Sequence, residues 1–345
     1  MKRFLVILFL AILVISTITG CGSSQNTAPN GNAQQSSQEQ AKQLTIKFAT
    51  YFPPDHPQNV ALREVFKKQV EEKSNGSIKV EIYDNNQLGD EKTFTEGVRM
   101  GTIEMGLPGL IQGESLPKLN ILQFSYLFDS YEHAIKVLKN EEIMNKVTEG
   151  MTEMGTRPLA YSVNGFRVVS NSKHPINAID DTKDIKLRVP QNQIFIDSLS
   201  ALGFSTVTMP MTELFTALQQ KTVDGQENPA VTLYTSGWYE VQPYLAITNH
   251  IFGPNIYVIN EKFWQSLTPE QQQIISDAAK ASADYEINLF LEQEKDILKT
   301  LNEKGIEITY PDLEPFREAS QPVYEKWYKQ YPDIKPIVEE IKSVK

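Results

Sequence analysis

The segment from Lys186 to Pro229 opens with KLRVP at residues 186–190, carries Met209-Pro210 in its middle and closes with DGQENP at residues 224–229. Arg188 lies on a short apolar run that predicts a strand. Asn228 lies at a turn that the following proline favours. Both polar side chains therefore stand at the ends of predicted elements, which is where ligand sites form in open α/β sheets.

The pairing of these two residue types indicates a particular chemistry. A planar guanidinium such as that of Arg188 binds a carboxylate through two parallel hydrogen bonds, and the amide of Asn228 can add a third donor. We therefore expect a carboxylate-binding cleft. The alternative is that Arg188 is a surface ion-pair partner and Asn228 a turn-forming residue.

The N-terminus has the pattern of a secretory signal. Lys2 and Arg3 precede a continuous apolar run at residues 4–15, which is too short for a dedicated membrane span. The single cysteine, Cys21, ends the sequence ITGC, which resembles a lipobox. We expect residues 1–20 to be a lipoprotein signal peptide and Cys21 to carry a lipid that anchors the protein to the membrane. The alternative is an ordinary signal peptide that leaves a free thiol.

Residues 21–43 are rich in small polar residues and predict a flexible tether.

Composition excludes several classes of function. The formal net charge of −10 argues against binding to nucleic acid. One cysteine permits no disulfide within the chain, and the four histidines are scattered, so we expect no metal site. No glycine-rich phosphate loop is present, and we expect no cofactor.

The first part of the folded body alternates strand and helix patterns. Strand patterns at residues 44–48, 77–83 and 103–107 are separated by helix patterns at about 59–73 and from Asp90 to near residue 101. This β-α-β-α-β order predicts an α/β fold with a parallel sheet and crossover helices.

Two lobes are expected from the later part of the chain. We assign residues 44–164 and 253–292 to lobe I, and residues 165–252 and 293–345 to lobe II. Thr268 begins a capping box ahead of a stretch without Gly or Pro until Gly305. This predicts a helix of about 36 residues, roughly 54 Å long, that braces both lobes. The alternative is two helices with a break near Ala283.

An ordered series of short sequences is similar to the solute-binding subunits of tripartite ATP-independent periplasmic (TRAP) transporters, the DctP-type family. The matching sequences are QLGDE (87–91), NGFR (164–167), KLRVP (186–190), ALG (201–203), ALQ (217–219), VDGQENP (223–229), YEVQ (239–242) and TNH (248–250). The likeness runs from about Leu44 to Ala279. It implies a two-lobed periplasmic-binding-protein-like fold with a ligand cleft between the lobes.

The resemblance also implies roles for individual residues. Arg188 would clamp the ligand carboxylate, with help from Asn228 and Arg167. The other positions that match the family's cleft are Tyr51, Glu91, Gly109, Met211 and Asn255. His56, in the sequence PDHP, would either contact the ligand or cap its loop. Gly109 stands where relatives that bind sialic acid carry an acidic residue, which argues against that ligand.

The function implied is an extracytoplasmic receptor, a monomer that delivers a small organic acid to the membrane subunits of a TRAP transporter and is not an enzyme. A sugar acid such as a uronate is favoured over a C4-dicarboxylate, because the carboxylate of Glu91 accepts hydroxyl groups but repels a second carboxylate. One alternative is a surface-anchored hydrolase that uses Glu91 and Glu227 as paired carboxylates. Another is a module that presents its ligand to a sensor kinase.

Overall fold

The computed structural model describes residues 43–109 and 111–345. These residues belong to one structural unit, Lys42–Lys345. The predicted signal peptide, the lipid site at Cys21 and all of the tether except Gln43 lie outside the described residues. Within the described residues, no helix is both long enough and apolar enough to cross a membrane.

Strands and helices alternate through most of the described chain. The strands are β1 (Leu44–Thr50), β2 (Ile78–Tyr83), β3 (Met105–Leu107), β4 (Thr156–Phe166), β5 (Val168–Asn171), β6 (Lys186–Val189), β7 (Ser205–Thr208), β8 (Gly225–Asn228), β9 (Tyr244–Ala246), β10 (Phe252–Asn260) and β11 (Glu307–Thr309). The helices are α1 (Pro57–Ala61), α2 (Lys68–Lys73), α3 (Glu91–Met100), α4 (Tyr131–Leu138), α5 (Glu141–Val147), α6 (Gln193–Ala201), α7 (Met211–Gln219), α8 (Ala230–Thr235), α9 (Glu261–Ser266), α10 (Pro269–Glu303), α11 (Glu314–Gln330) and α12 (Ile334–Ser343). A π-helical turn at Leu62–Lys67 joins α1 to α2.

The first sheet has the strand order β2-β1-β3-β10-β4. Strands β2 and β3 both pair with β1 in parallel, which confirms the predicted β-α-β-α-β unit. Strand β10 returns antiparallel between β3 and β4. We call this sheet and the helices packed on it lobe I.

The second sheet has the order β11-β9-β5-β8-β6-β7. Strands β6, β7 and β8 run parallel, β5 runs antiparallel to both of its neighbours, β8 and β9, and β11 pairs with β9 in parallel. We call this sheet and its helices lobe II. The two sheets confirm the predicted two-lobed α/β architecture.

Strands β4 and β10 pair along almost their whole length and carry the chain between the lobes. At the crossing, the Arg167 backbone N–H donates to the carbonyl of Ile251 at 2.8 Å. Gly165, one step before β4 ends, has φ +110°, and a Cβ there would lie 2.4 Å from Cζ of Phe290 on α10. Only glycine fits this close approach between the crossing strand and the long helix.

Helix α10 is continuous over 35 residues, so the predicted long helix is confirmed and the alternative break near Ala283 is wrong. Thr268 and Gln271 form the predicted capping box at its start. The helix contacts α1 and β4 in lobe I and α8 in lobe II. It therefore braces both lobes.

The C-terminal segment contacts both lobes as well. Helix α11 packs on α6 of lobe II, where Lys326 pairs with Asp197 at 2.7 Å. Helix α12 packs on α5 of lobe I, where Lys146 pairs with Glu340 at 2.9 Å. The segment 293–345, predicted as part of lobe II, thus also packs on lobe I through its last helix.

Candidate functional site

A cavity of about 50 Å³ lies between the two lobes. Strand ends and helix starts from both lobes form its wall, as expected for a site in open α/β sheets. Its lining residues are Tyr51, Glu91, Gly109, Ile111, Gln123, Asn164, Arg167, Arg188, Pro190, Asn192, Phe195, Met211, Asn228, Gly253 and Pro254. Seven of the nine residues that the sequence predicts for the site are among them.

Arg188 lies on β6 and is 4% exposed. Its Nε and Nη2 atoms both donate to the Met209 carbonyl, at 3.0 and 2.7 Å, which fixes the plane of the guanidinium. Among the described residues no carboxylate lies within salt-bridge distance of it, although Glu227 and Glu91 act on its charge from farther away. Burial lowers the pKa of Arg188 to about 10, so the group stays positively charged at neutral pH. The cavity thus holds a buried cation that has no salt-bridge partner among the described residues.

Arg167 is already paired. Its Nε donates to Oε2 of Glu227 at 2.5 Å, and its Nη2 donates to Oε1 at 2.8 Å and to the Glu227 carbonyl at 2.6 Å. Glu227 is fully buried and also bonds to Nε2 of His250 at 3.2 Å. Burial alone would raise the pKa of Glu227, but Arg167 and His250 lower it below its ordinary value. Arg167 therefore lines the cavity as one half of a neutral pair.

Glu91 is the first residue of α3 and Asp90 is the N-cap, since the Asp90 carboxylate accepts from the Thr93 backbone at 2.8 Å. The Glu91 carboxylate instead faces the cavity, where burial raises its pKa to about 7 against the opposing effect of Arg188. A Cβ at position 109 would lie 2.8 Å from Oε1 of Glu91 and 3.3 Å from the hydroxyl of Tyr51. Glycine at 109 thus leaves these two polar groups room to point into the cavity.

Asn228 ends β8 and donates through Nδ2 to Oε1 of Gln226 at 2.7 Å. Gln226 in turn donates to the hydroxyl of Ser170 at 2.8 Å, which donates to Oε1 of Gln242 at 3.2 Å. This buried chain of hydrogen bonds fixes the amide orientation of Asn228. Met211 begins α7 and adds an apolar contact to the cavity wall.

Two predicted site residues are not among those that line the cavity. His56 caps α1, with Nδ1 accepting from the Gln58 backbone at 3.2 Å, and stacks on Phe52 with 4.1 Å between ring centroids. Burial lowers the pKa of His56 to about 3, so it is neutral. Asn255, inside β10, donates to Oε1 of Gln58 at 3.0 Å and to the Val163 carbonyl at 3.2 Å. Of the two roles considered for His56, the structure favours capping.

Several lining residues were not predicted. They are Ile111, Gln123, Asn164, Pro190, Asn192, Phe195, Gly253 and Pro254. Asn164 and Pro190 stand in the sequences NGFR and KLRVP, so their motifs carried a signal that pointed to them. Phe195 lies on α6 with its ring centroid 5.0 Å from Cζ of Arg167, and nothing local in the sequence indicates that contact.

The carboxylate pair of the hydrolase alternative is not formed in the cavity. Glu227 is bound by Arg167 and His250 and is not part of the cavity wall, whereas Glu91 is. Two carboxylates that share acid and base roles must both face the substrate. The geometry therefore does not support the Glu91–Glu227 pair as catalytic groups.

Comparison with known proteins decides the family. Residues 48–330 match the model of the DctP family, described as bacterial extracellular solute-binding protein, family 7. The chain belongs to this family. The predicted resemblance to TRAP solute-binding proteins is thereby confirmed, and with it the function of an extracytoplasmic solute-binding receptor.

Solved and curated DctP-family proteins are similar over most of this chain. A TRAP periplasmic solute-binding protein from Haemophilus influenzae with bound L-gulonate is 38% identical, with TM-score 0.85, covering 88% of this chain and 100% of that chain. One from Roseobacter denitrificans with bound β-D-glucuronate is 28% identical, with TM-score 0.84, covering 87% and 100%. The sialic acid-binding periplasmic protein SiaP of Vibrio cholerae is 33% identical over 263 residues, which are 75% of this chain and 80% of that protein.

The raised pKa of Glu91 predicts a pH dependence of stability. When folding raises the pKa of an acid, the folded state favours the protonated form. The unfolding free energy is then highest below the pKa of the unfolded state, about 4.3, and it falls as the pH rises through the pKa of the folded state. Between pH 5 and pH 8, the ligand-free protein should therefore lose about 1–3 kcal/mol more unfolding free energy than Glu91→Gln does. Urea unfolding at several pH values measures this difference.

The control for this prediction is Glu96→Gln, on the same helix but outside the cavity. Its pH profile should follow that of the unsubstituted protein. Parallel profiles for Glu91→Gln and the unsubstituted protein would contradict the assignment of the raised pKa to Glu91.

Proposed function

We propose that this receptor binds a sugar acid with a single carboxylate, a uronate or an aldonate, through the guanidinium of Arg188. The observation that carries the proposal is that Arg188 is buried and charged but unpaired among the described residues. A bound carboxylate would supply the missing negative charge. A buried charge without a partner is unfavourable. Binding of a carboxylate neutralises the charge of Arg188 and is therefore favourable.

The balance of charges supports one carboxylate rather than two. Arg167 is neutralised by Glu227, so Arg188 is the available cation of the described cavity wall. A second carboxylate on the ligand would lack a free cation and would lie in a small cavity with Glu91. Hydroxyl groups suit Glu91 and Tyr51 better, because a carboxylate and a phenol oxygen both accept hydrogen bonds. This ranks a C4-dicarboxylate below a sugar acid.

The relatives support the same class of ligand. The Haemophilus influenzae protein holds L-gulonate and the Roseobacter denitrificans protein holds β-D-glucuronate, and both ligands combine one carboxylate with several hydroxyl groups. SiaP is named for the binding of sialic acid, and the sequence resemblance predicts an acidic residue at the position of Gly109 in relatives that bind that ligand. We infer that Gly109 and Tyr51 select a smaller ligand than sialic acid.

Ligand capture would proceed by closure of the lobes. The carboxylate meets Arg188 on lobe II, and hydroxyl groups then reach Glu91 and Tyr51 on lobe I. Contacts to both lobes exist together only in the closed form, so the ligand shifts the population toward closure. Closure also removes water, which strengthens the ion pair.

The proposal includes the cellular setting that the sequence predicts. A lipid on Cys21 would hold the receptor at the outer face of the membrane, and residues 22–43 would tether it. It would act as a monomer that passes its ligand to the membrane subunits of a TRAP transporter, without chemical change to the ligand. Presentation of the ligand to a sensor kinase would use the same cavity.

A thermal-shift screen followed by calorimetry tests the ligand class. L-gulonate, D-glucuronate and D-galacturonate should raise the melting temperature of the purified protein, because a ligand that binds only the folded state stabilises it. Succinate and malate are the two-carboxylate controls and should raise it less. Tighter binding of succinate than of every sugar acid would overturn the proposed class, and turnover of a bound sugar acid would overturn the receptor role.

A further inference from the structure

Asn192 stands between the two lobes. It is the N-cap of α6 in lobe II, where its Oδ1 accepts from the Ile194 backbone at 3.3 Å. Its Nδ2 points the other way, donating to Oδ1 of Asn120 at 2.8 Å and to Oε1 of Gln123 at 3.4 Å. Asn120 and Gln123 lie in a short 3₁₀ segment, Pro117–Gln123, that packs on α5 and β10 of lobe I. One side chain thus caps a helix in one lobe and bonds to the other lobe.

The acceptor on lobe I is held rigidly. Asn120 is 1% exposed, and its own Nδ2 donates to the Gly113 carbonyl at 2.8 Å, which fixes the orientation of the amide. A Cβ at position 113 would lie 2.1 Å from Oδ1 of Asn120, so the two segments are in close contact. Oδ1 of Asn120 is therefore presented to Asn192 in a fixed position. A preorganised acceptor loses little conformational entropy when the bond forms.

The bond lies at the cavity wall. Asn192 and Gln123 both line the cavity, and Asn192 follows Arg188 by four residues along the chain. Separation of the lobes at this wall would break the bond, because its donor and acceptor belong to different lobes. Water would then satisfy both amides, so the bond favours the closed form only modestly.

We propose that Asn192 is a latch between the lobes, whose bonds to Asn120 and Gln123 hold the cavity shut and slow ligand release. The proposal rests on the proposed function insofar as closure captures the ligand. A contact that exists only in the closed form raises the closed population with or without ligand, and the apparent affinity scales with that population. Asn192 would then be a positioning residue that sets residence time rather than ligand choice.

The first test separates the latch from the helix cap. Asn192→Ser keeps a good N-cap, since serine caps helices nearly as well as asparagine, but its short hydroxyl does not reach lobe I. With the sugar acid that gives the largest thermal shift, the dissociation rate should rise about threefold to tenfold while the association rate changes little. The matched control is Asn140→Ser, the same substitution at the N-cap of α5, outside the cavity wall. It should leave both rates unchanged.

The second test separates the latch from direct contact with the ligand. Asn120 does not line the cavity, so a double-mutant cycle with Asn120→Ala removes the nearer of the two acceptors of Asn192 without touching the ligand. In the Asn120→Ala background, Asn192→Ser should change the dissociation rate by less than twofold. An equal effect in both backgrounds would overturn the latch and assign Asn192 a direct ligand contact.

The third test needs no ligand. Protein that begins at Gly22 contains the whole unit Lys42–Lys345 and has no cysteine, so spin labels can be placed at Met100 on α3 and Gln219 on α7, both exposed. Asn192→Ser should lower the fraction of short label distances in the ligand-free protein, and Asn140→Ser should not. Identical distance distributions would overturn the latch. Failure of every sugar acid to bind would instead overturn the proposed function and leave this test standing.

Discussion

Arg188→Ala is expected to weaken binding of the sugar acid by about 2–5 kcal/mol, or roughly 30-fold to several-thousand-fold in Kd. The substitution removes the buried cation and leaves the ligand carboxylate to enter a cavity without a positive partner. Isothermal titration calorimetry with L-gulonate or D-glucuronate measures the change. An affinity within threefold of the unsubstituted protein would mean that the carboxylate binds elsewhere.

Two further variants make this result specific. Arg188→Lys keeps the positive charge but loses the planar fork, so it should recover only part of the affinity. Arg317→Ala removes an arginine that is 36% exposed and packs over Tyr126, outside the cavity wall, and should bind normally. Because Arg188 also bonds to the Met209 carbonyl, a melting temperature should be recorded for each variant to show that the fold is intact.

Glu227→Ala is expected to lower the unfolding free energy by about 3–5 kcal/mol, since it leaves Arg167 charged and buried without its carboxylate. Arg157 and Glu261 offer a matched control, because they form the same two-bond geometry, with both distances 2.7 Å, at a more exposed place. Glu261→Ala should therefore change stability by about 1 kcal/mol or less. Urea unfolding measures the unfolding free energy of both variants. Equal decreases in the two would contradict the larger cost predicted for breaking the buried pair.

The double variant Arg167→Met with Glu227→Leu gives an independent check. Replacing both members of a buried ion pair by apolar residues avoids the unpaired charge, so stability should recover much of what Glu227→Ala loses. The lowered pKa of Glu227 adds a pH signature: its stabilisation is present above the unfolded value of about 4.3 and is lost as the pH falls below it. The double variant should lack that part of the acid sensitivity.

The predictions that came true concern features encoded within a few residues. The capping box at Thr268 and the absence of Gly and Pro after it predicted α10, because helix starts and breaks depend on adjacent side chains. The alternating patterns predicted β1 and β2 for the same local reason. Arg188 and Asn228, singled out from their motifs, lie on strands and line the cavity, and their contacts with a ligand stay a prediction.

The structure differs from the sequence-based predictions at residues whose partners are far away in the sequence. Asn255 fits a family cleft position but bonds to Gln58 and lies outside the cavity wall. His56 takes the capping role, one of the two considered for it, and its Nε2 lies 3.4 Å from the hydroxyl of Thr232 on α8. Glu227 was considered as a catalytic carboxylate, yet it is the partner of Arg167. Neither the residue pattern nor the spacing of residues shows which of several carboxylates forms a salt bridge with a given arginine.

The sequence by itself determined the order of strands and helices, the long helix and the family, since each depends on local periodicity, turn chemistry or an ordered motif. The tertiary structure decided which charged side chains of the site are already paired with each other. Arg167 meets Glu227 across 60 residues, and Asn192 meets Asn120 across 72. Such contacts form only when the sheets and the two lobes pack together, and they leave Arg188 as the buried cation without a partner in the described cavity wall.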